Sequence, residues 1–455
     1  MQPIISPVNA LQELIACRSV STNDEDQHAA RQKIVNILEK NIGAEVTLIP
    51  TAGKPAIFAT VAGERPEALL FYGHYDVMTP GNLAAWKSDP FTLTKRDNRF
   101  FGRGTGDNKG QLIATLTGIS NFLAKQPKLP YTIQFLIEGE EEQGSVNLPE
   151  LVRSQKNELL RNVKKVFVTD GSMNASGAHV LRLGNRGLFG LRLTSTTATH
   201  ANHSGNAGNV IANPVNVLHE ALNQLYDFAH QHVLIPGFYE GVNAPTDQEL
   251  SWIDALPFDP EKITTVFDSQ LTTTDKQTYY RKLMYEPTFN INGMAAGNTG
   301  TDVKTVIPGS AFVSIDMRLV GTQSIPVIQA GIEKILASFL KTGKLTYAIT
   351  GKVPPTVVHP SNVDLTNFKD AAQASQVRLV IEPVMPGTDP NYVWTDILRV
   401  PVFTVPLANF DQNNHAANEN ITEEAFFSSI HFIESLISGP LTRKEETEWN
   451  IRNQQ

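Results

Sequence analysis

Ala68-Leu69-Leu70-Phe71-Tyr72 runs straight into Gly73-His74-Tyr75-Asp76-Val77. The apolar run reads as a strand buried on both faces, which belongs to a covered sheet and so to an α/β fold. Side chains alternate along a strand, so His74 and Asp76 are expected to point the same way. Neutral imidazole is a common transition-metal ligand, and a carboxylate beside it fixes its tautomer and raises its basicity. The bland alternative is a strand-end histidine bonded to an aspartate for packing alone.

At 455 residues the chain is too long for one hydrophobic core, and two domains are expected. With 41% hydrophobic and 18% charged residues and a formal net charge of -8, it has the composition of a soluble globular protein. The acidic balance argues against nucleic acid or an anionic membrane as the main partner. No run approaches the length of a membrane span, and the N-terminal MQPIISPVNALQELI lacks the basic segment of a signal peptide. The single cysteine, Cys17, excludes an intrachain disulfide and fits a reducing cytoplasm. Among Leu11, Leu14 and Ile15 it reads as a small core residue of a helix.

Downstream, other elements end in similar polar punctuation. Asp24 to Asn41 reads as an amphipathic helix closed by Gly43, followed by strands Glu45–Ile49 and Ala56–Val61. Trp86 to Phe100 reads as a loop with a short hairpin. FGRGTGDNKG, Phe101 to Gly110, looks like a phosphate loop but lacks GK[ST], and Asp107 would repel an anion. Asp107 precedes a helix to Lys125, as a simple N-cap or as a carboxylate brought to a site. The buried strand Tyr131–Ile137 ends in EGEEEQGS, and Val166–Thr169 ends at Asp170. The carboxyl ends of strands in an α/β sheet form the usual ligand crevice, and carboxylates crowded there repel unless a cation or proton joins them.

From Gly187 the pattern changes. A strand, a helix (Pro214–Tyr226), a long polar Pro-rich stretch (Gln231 to Lys276), two strands, a helix (Val327–Leu340) and a strand (Leu345–Gly351) give βαββαβ, the ferredoxin-like split unit. After Pro360 the α/β style returns, with helix Val363–Ser375, strand Val402–Val405, His415 in NNHAANENI and helix Glu423–Ile437. Residues 1–186 and 360–455 are thus expected to form one domain around an inserted 187–359. The polar tail from Thr442 is expected to fray.

His74, Asp107, Glu141, Glu142, Asp170 and His415 are too many for one tetrahedral zinc and suit two metals sharing a carboxylate. Zn²⁺ and Mn²⁺ fit this donor set better than Ca²⁺ or copper. In order along the chain, HxD, GRGTGDNKG, EEQGS, the strand-end Asp, HSG, RLVG and the late His of NNHAANE resemble the M20 family of co-catalytic metallopeptidases, over nearly the whole length.

That resemblance implies an α/β, mixed-sheet, zinc-peptidase-like catalytic domain with an inserted α+β ferredoxin-like lid and dimerisation domain. It implies that His74 and Asp170 hold one metal, that Glu142 and His415 hold the other and that Asp107 bridges them. The ions would be Zn²⁺, or Mn²⁺ or Co²⁺. Asp76 would stand behind His74, and Glu141 would be the general base, because EEQGS matches the family's two acids, one residue and Gly-Ser. His203 of ANHSGN would reach the active site of a partner subunit in a homodimer. Arg318 of SIDMRLVG would bind a substrate carboxylate. His359 of VVHP and Gly387 of PGTDPNYVW correspond more loosely to substrate-binding positions. The long lid points to dipeptides or short peptides as substrates. An N-acyl-amino-acid amidohydrolase is the second reading, and a metal-bound scaffold without activity is the reading from another class.

Overall fold

A computed structural model describes residues 5–126 and 128–439; the tail from Thr442 lies outside the described residues. Pro7 in the first turn and a buried stripe of Leu11, Leu14 and Ile15 make helix α1, Pro7–Ala16. Cys17 stands at the cap of α1, half-buried, with its thiol 3.4 Å from the Glu13 carbonyl. It packs, partly buried, against the main core beside Leu14 and Ile15, as a small residue at the helix end. Helix α2, Asp24–Ile37, runs into a π-helical turn, Leu38–Ile42, and stops at Gly43 in the left-handed conformation.

The first segment then gives strands β1 (Glu45–Ile49), β2 (Ala56–Val61) and β3 (Ala68–His74), helix α3 (Lys109–Lys125), and strands β4 (Thr132–Glu138), β5 (Val163–Val168) and β6 (His179–Arg182). The middle segment contains β7 (Gly187–Thr196), α4 (Pro214–Leu225), α5 (Asp247–Ala255), α6 (Pro260–Phe267) and α7 (Lys276–Tyr285). It continues with β8 (Asn290–Ala296), β9 (Ser310–Leu319), α8 (Ile325–Lys341) and β10 (Leu345–Val353). The last segment adds α9 (Asn362–Ala374), β11 (Leu379–Glu382), β12 (Val402–Thr404) and α10 (Glu423–Leu436).

Eight strands form one mixed sheet in the order β1-β2-β4-β3-β5-β12-β6-β11. The central β4, β3, β5 and β12 run parallel, so their carboxyl ends share one edge. Register sets Phe135, Phe71, Phe167 and Phe403 side by side across those strands, with neighbouring ring centroids 6.1, 5.2 and 6.0 Å apart. Phe368 of α9 packs on the last two rings from above. This row of rings fixes the height of the strand ends, and the site is built on them.

The middle segment makes a four-stranded antiparallel sheet, β8-β9-β7-β10, with α4 and α8 on one face. Burial alternates residue by residue along β9, so one face is buried and the other is only partly covered. Its core is separate, built on Leu191, Val313, Ile315 and Leu336. Gln231 to Lys276 is more ordered than its composition suggested, because α5, α6 and the start of α7 lie within it. Thr246 caps α5 with a reciprocal box to Glu249, and Asp259 caps α6. Ile253, Leu256 and Met284 pack on Val180 of β6 and Val380 of β11, so the insertion covers the end of the large sheet.

His179 of β6 is buried against the Phe432 ring, and its Nε2 lies 3.2 Å from Ser428 Oγ. Burial pulls its pKa down to about 4. The unfolded chain binds a proton at about pH 6.5 and the folded chain does not, so stability falls as pH drops from about 6.5 to about 4. The loss levels off below that, at a total on the order of 3 kcal/mol. His179→Phe should flatten this part of the profile of urea midpoint against pH; an unchanged slope would refute the assignment.

Candidate metal centre

Strand β3 ends at His74, so the turn beyond it, and not strand alternation, brings Asp76 to His74. Asp76 Oδ1 lies 3.3 Å from His74 Nδ1. The same carboxylate accepts the backbone N–H of Glu141 at 3.3 Å and of Glu142 at 3.2 Å. One buried group thereby sets the histidine and both glutamates. A Cβ on Gly73 would come within 2.9 Å of Asn108 Oδ1, so the approach of that loop requires glycine there.

Among the three consecutive glutamates, Glu140 turns away, accepting from Asn147 Nδ2 at 2.7 Å. Glu141 and Glu142 point into the cluster, with Glu141 Oε2 3.8 Å from His74 Nε2 and Glu142 Oε2 2.9 Å from His415 Nε2. Asp107 is not the N-cap of α3. That position belongs to Asn108, which makes no side-chain cap and donates instead to the Thr169 carbonyl at 2.7 Å. The Asp107–Asn108 peptide is cis.

Asp107 is therefore free to serve two neighbours. Its Oδ1 is 3.0 Å from His74 Nε2 and its Oδ2 is 3.2 Å from His415 Nε2. Asp170 Oδ2 lies 3.4 Å from His74 Nε2, and Glu142 Oε2 lies 2.9 Å from His415 Nε2. Donors about 2.1 Å from one tetrahedral ion stand about 3.4 Å apart. The groups His74-Asp107-Asp170 and Asp107-Glu142-His415 each keep their donor atoms within 4.8 Å of one another, so both fit a divalent ion and share Asp107. His415 itself is held in the left-handed region at φ 58°, an uncommon conformation for a non-glycine residue that accompanies functional loops.

The electrostatics point the same way. Burial alone would lower the His74 pKa, but the acceptors Asp107, Asp170 and Asp76 hold it well above the usual range. Hydrogen bonds to Asp107 and Glu142 raise His415 to about 10. Burial resists ionisation of Asp107, and His415 and His74 still hold it below the ordinary carboxylate range. Burial pushes Glu141 well up, and the charges of Asp170, Asp107 and Glu142 add to that. The acids thus hold protons on both imidazoles, and divalent ions would displace those protons.

The sequence reading missed what braces this cluster. Glu419, fully buried, accepts the backbone N–H groups of Gly104 at 3.0 Å and of Gly106 and Asp107 at 2.9 Å. Arg103 Nη1 meets its Oε2 at 2.6 Å, and Arg103 Nη2 donates to the carbonyls of Thr79 and Ala416. The pair ties the Asp107 loop to the His415 loop. The only sequence signal was a charged residue in each of two motifs, RGTGD and HAANE.

The remaining expected residues are not members of the two metal groups. Arg318 of β9 donates from Nη1 to Thr388 Oγ1 at 2.6 Å, in the loop that also carries the exposed Gly387. His203 is exposed; its Nδ1 accepts from Gly205 N–H at 3.0 Å and its Nε2 lies 3.3 Å from Thr305 Oγ1. His359 is exposed just beyond the short strand Thr356–Val357. Neither histidine joins the metal groups within this chain.

Residues 70–439 match a family described as Peptidase family M20/M25/M40. The chain belongs to that family. The mouse Beta-Ala-His dipeptidase is 29% identical over 440 residues, covering 91% of this chain and 88% of that one. A Cys-Gly metallodipeptidase of Candida albicans is 26% identical over 447 residues, covering 91% and 90%. The crystal structure of an M20 family metallo-carboxypeptidase from Sulfolobus solfataricus superposes with a TM-score of 0.85 at 27% identity, over 95% of this chain and 99% of that one. This M20 peptidase therefore shares a mixed α/β architecture with solved members over nearly its full length. No helix among its described residues is long and apolar enough to cross a membrane.

Proposed function

We propose that this protein hydrolyses the amide bond of dipeptides or short peptides with two divalent ions. His74, Asp107 and Asp170 hold one, and Asp107, Glu142 and His415 hold the other. The observation that carries this is the shared carboxylate: each oxygen of Asp107 faces a different imidazole, an arrangement one ion would not need. The likeness to dipeptidases supports peptide substrates. The histidine and carboxylate donors suit Zn²⁺, with Mn²⁺ or Co²⁺ able to take its place.

When bound, the ions supply positive charge that polarises a carbonyl and acidifies water. Glu141 is the carboxylate of the cluster left over once both metal groups are filled, and its Oε2 lies 3.8 Å from His74 Nε2. It takes a proton from the attacking water and returns it to the leaving amine. Asp76 keeps His74 and the Glu141–Glu142 backbone in place. Arg318 clamps a substrate carboxylate, with the Gly387 loop beside it. The unit 187–359 serves as lid on a catalytic unit made of 1–186 and 360–455. His203, exposed and held by Gly205 and Thr305, contributes to the site of a second subunit of a homodimer.

The test is a hydrolysis screen of the Zn²⁺- or Mn²⁺-loaded protein, with metal analysis, on free dipeptides beside N-acetyl and N-succinyl amino acids. Dipeptide turnover that chelator abolishes and added metal restores is expected. Turnover of the acylated compounds alone would overturn the substrate class, and two bound metals without any turnover would overturn catalysis.

A further inference from the structure

Gln111 stands in the first turn of α3 and is fully buried. Its amide joins three distant stretches of chain. Nε2 donates to the Gly106 carbonyl at 2.6 Å and to the Gly171 carbonyl at 3.0 Å. Oε1 accepts the Leu407 N–H at 2.7 Å. Both amide hydrogens and the oxygen are thus engaged, which fixes the side chain in one orientation. Gly106 precedes Asp107 and Gly171 follows Asp170, so each carbonyl adjoins a carboxylate of the group His74-Asp107-Asp170.

The two carboxylates depend on this amide to different degrees. Asp170 Oδ1 accepts the Gly171 N–H at 2.6 Å and lies 3.5 Å from Gln111 Nε2, while Oδ2 lies 3.4 Å from His74 Nε2. The other ties to that turn fall mainly one residue on. Arg182 Nη2 donates to the Ser172 carbonyl at 2.9 Å, and Gln412 Nε2 donates to Ser172 Oγ at 2.7 Å, with the Gly171 carbonyl 3.4 Å away. Asp107 has a second brace, because Glu419 accepts its N–H and that of Gly106. Glu142 is set from elsewhere: its Oε1 accepts the Met78 N–H at 3.0 Å, and Asp76 accepts its backbone N–H. The Gln111 side chain makes no hydrogen bond to Glu142 or His415 among the described residues.

We propose that Gln111 is a positioning residue for one ion of the pair. It sets the Asp170 turn against the Asp107 loop, and so governs the affinity of the group His74-Asp107-Asp170 without governing that of Asp107-Glu142-His415. Groups that orient ligands in this way contribute to affinity because the donors stand ready before the ion arrives. This assignment rests on the two-ion reading proposed above.

The experiment strips metal from the full chain and titrates Zn²⁺ back against a chromophoric chelator, in wild type, Gln111→Met and Gln111→Asn. Wild type should take up two ions per chain. Gln111→Met, which keeps the length and loses the amide, should hold one ion as wild type does and the other roughly 10- to 100-fold more weakly. Combined with Asp170→Asn, which removes a ligand of the first ion, Gln111→Met should change the affinity of the remaining ion less than about twofold. A tenfold further loss there would overturn the selectivity. Both ions weakened alike, or a lower urea midpoint of the metal-free protein with both affinities unchanged, would make Gln111 a brace of the fold alone and overturn the assignment. Should Gln111→Met fail to fold, Gln111→Asn decides, since its shorter amide cannot span the same carbonyls: two ions at wild-type affinity would overturn the role of Gln111. A wild type that binds fewer than two ions would overturn the two-ion reading and Gln111 with it.

Discussion

Replacing Glu141 by Gln should leave two metal ions bound per chain and lower kcat by about 10²- to 10⁴-fold. Glutamine keeps the shape and loses the proton acceptor. The Asp76 bonds that set this turn go to backbone N–H groups, so the substitution does not disturb them. KM should move little, because the lost interaction belongs to proton transfer and not to ground-state binding. Glu142→Gln makes the contrast: Glu142 lies 2.9 Å from His415 Nε2, within the second metal group, so metal content should fall together with activity. Loss of metal from Glu141→Gln would make Glu141 a ligand, and unchanged turnover would remove it from the chemistry altogether.

Arg103→Met should destabilise the fold by about 3–5 kcal/mol, the cost of leaving a buried charge without its partner. Arg103 is 1% exposed, and its guanidinium lies 5.3 Å from the Trp86 ring, so water cannot replace what methionine removes. Urea unfolding followed by fluorescence measures the loss. The double variant Arg103→Met, Glu419→Gln should recover part of it, since the orphaned carboxylate is then gone. Lys33→Ala, which breaks the exposed 2.7 Å pair with Glu13, should cost less than about 1 kcal/mol. Similar losses from the two ion pairs would mean that Arg103 acts by packing alone.

What was legible in the sequence follows from the range of the forces involved. Buried strands declare themselves locally, because each needs an unbroken apolar run; Ala68 to Tyr72 and the run before Glu138 are examples. The residues that punctuate those runs fall at the sheet edge, so six groups of the cluster were readable before any contact was known. Chain-distant partnerships were not readable. Glu419 meets Asp107 across a separation of 312 residues, and no periodicity carries that information. Neither does local spacing show that Asp76 would answer for two glutamate N–H groups. Composition was silent where polar residues cap helices, as Thr246 and Asp259 do within the stretch read only as polar and Pro-rich. At Asp107 the sequence left an N-cap and a site carboxylate both open, and the cap position belongs to its neighbour Asn108.

Strand β12 sits inside the large sheet, between β5 and β6, although it comes from near the end of the chain. During synthesis, β6 cannot join the sheet beside β5 until more than two hundred further residues have been made, because both of its partners come from the last segment. At ribosomal rates that wait is on the order of 10–50 s. Throughout it, β6 lacks both of its neighbours, β12 and β11, and β5 keeps one open edge, and His415 and Glu419 have not yet been added. A nascent chain therefore lacks the second imidazole and the brace on Asp107, so peptide cleavage begins only after the last segment closes the sheet. The middle unit, with its own core, can fold during the wait.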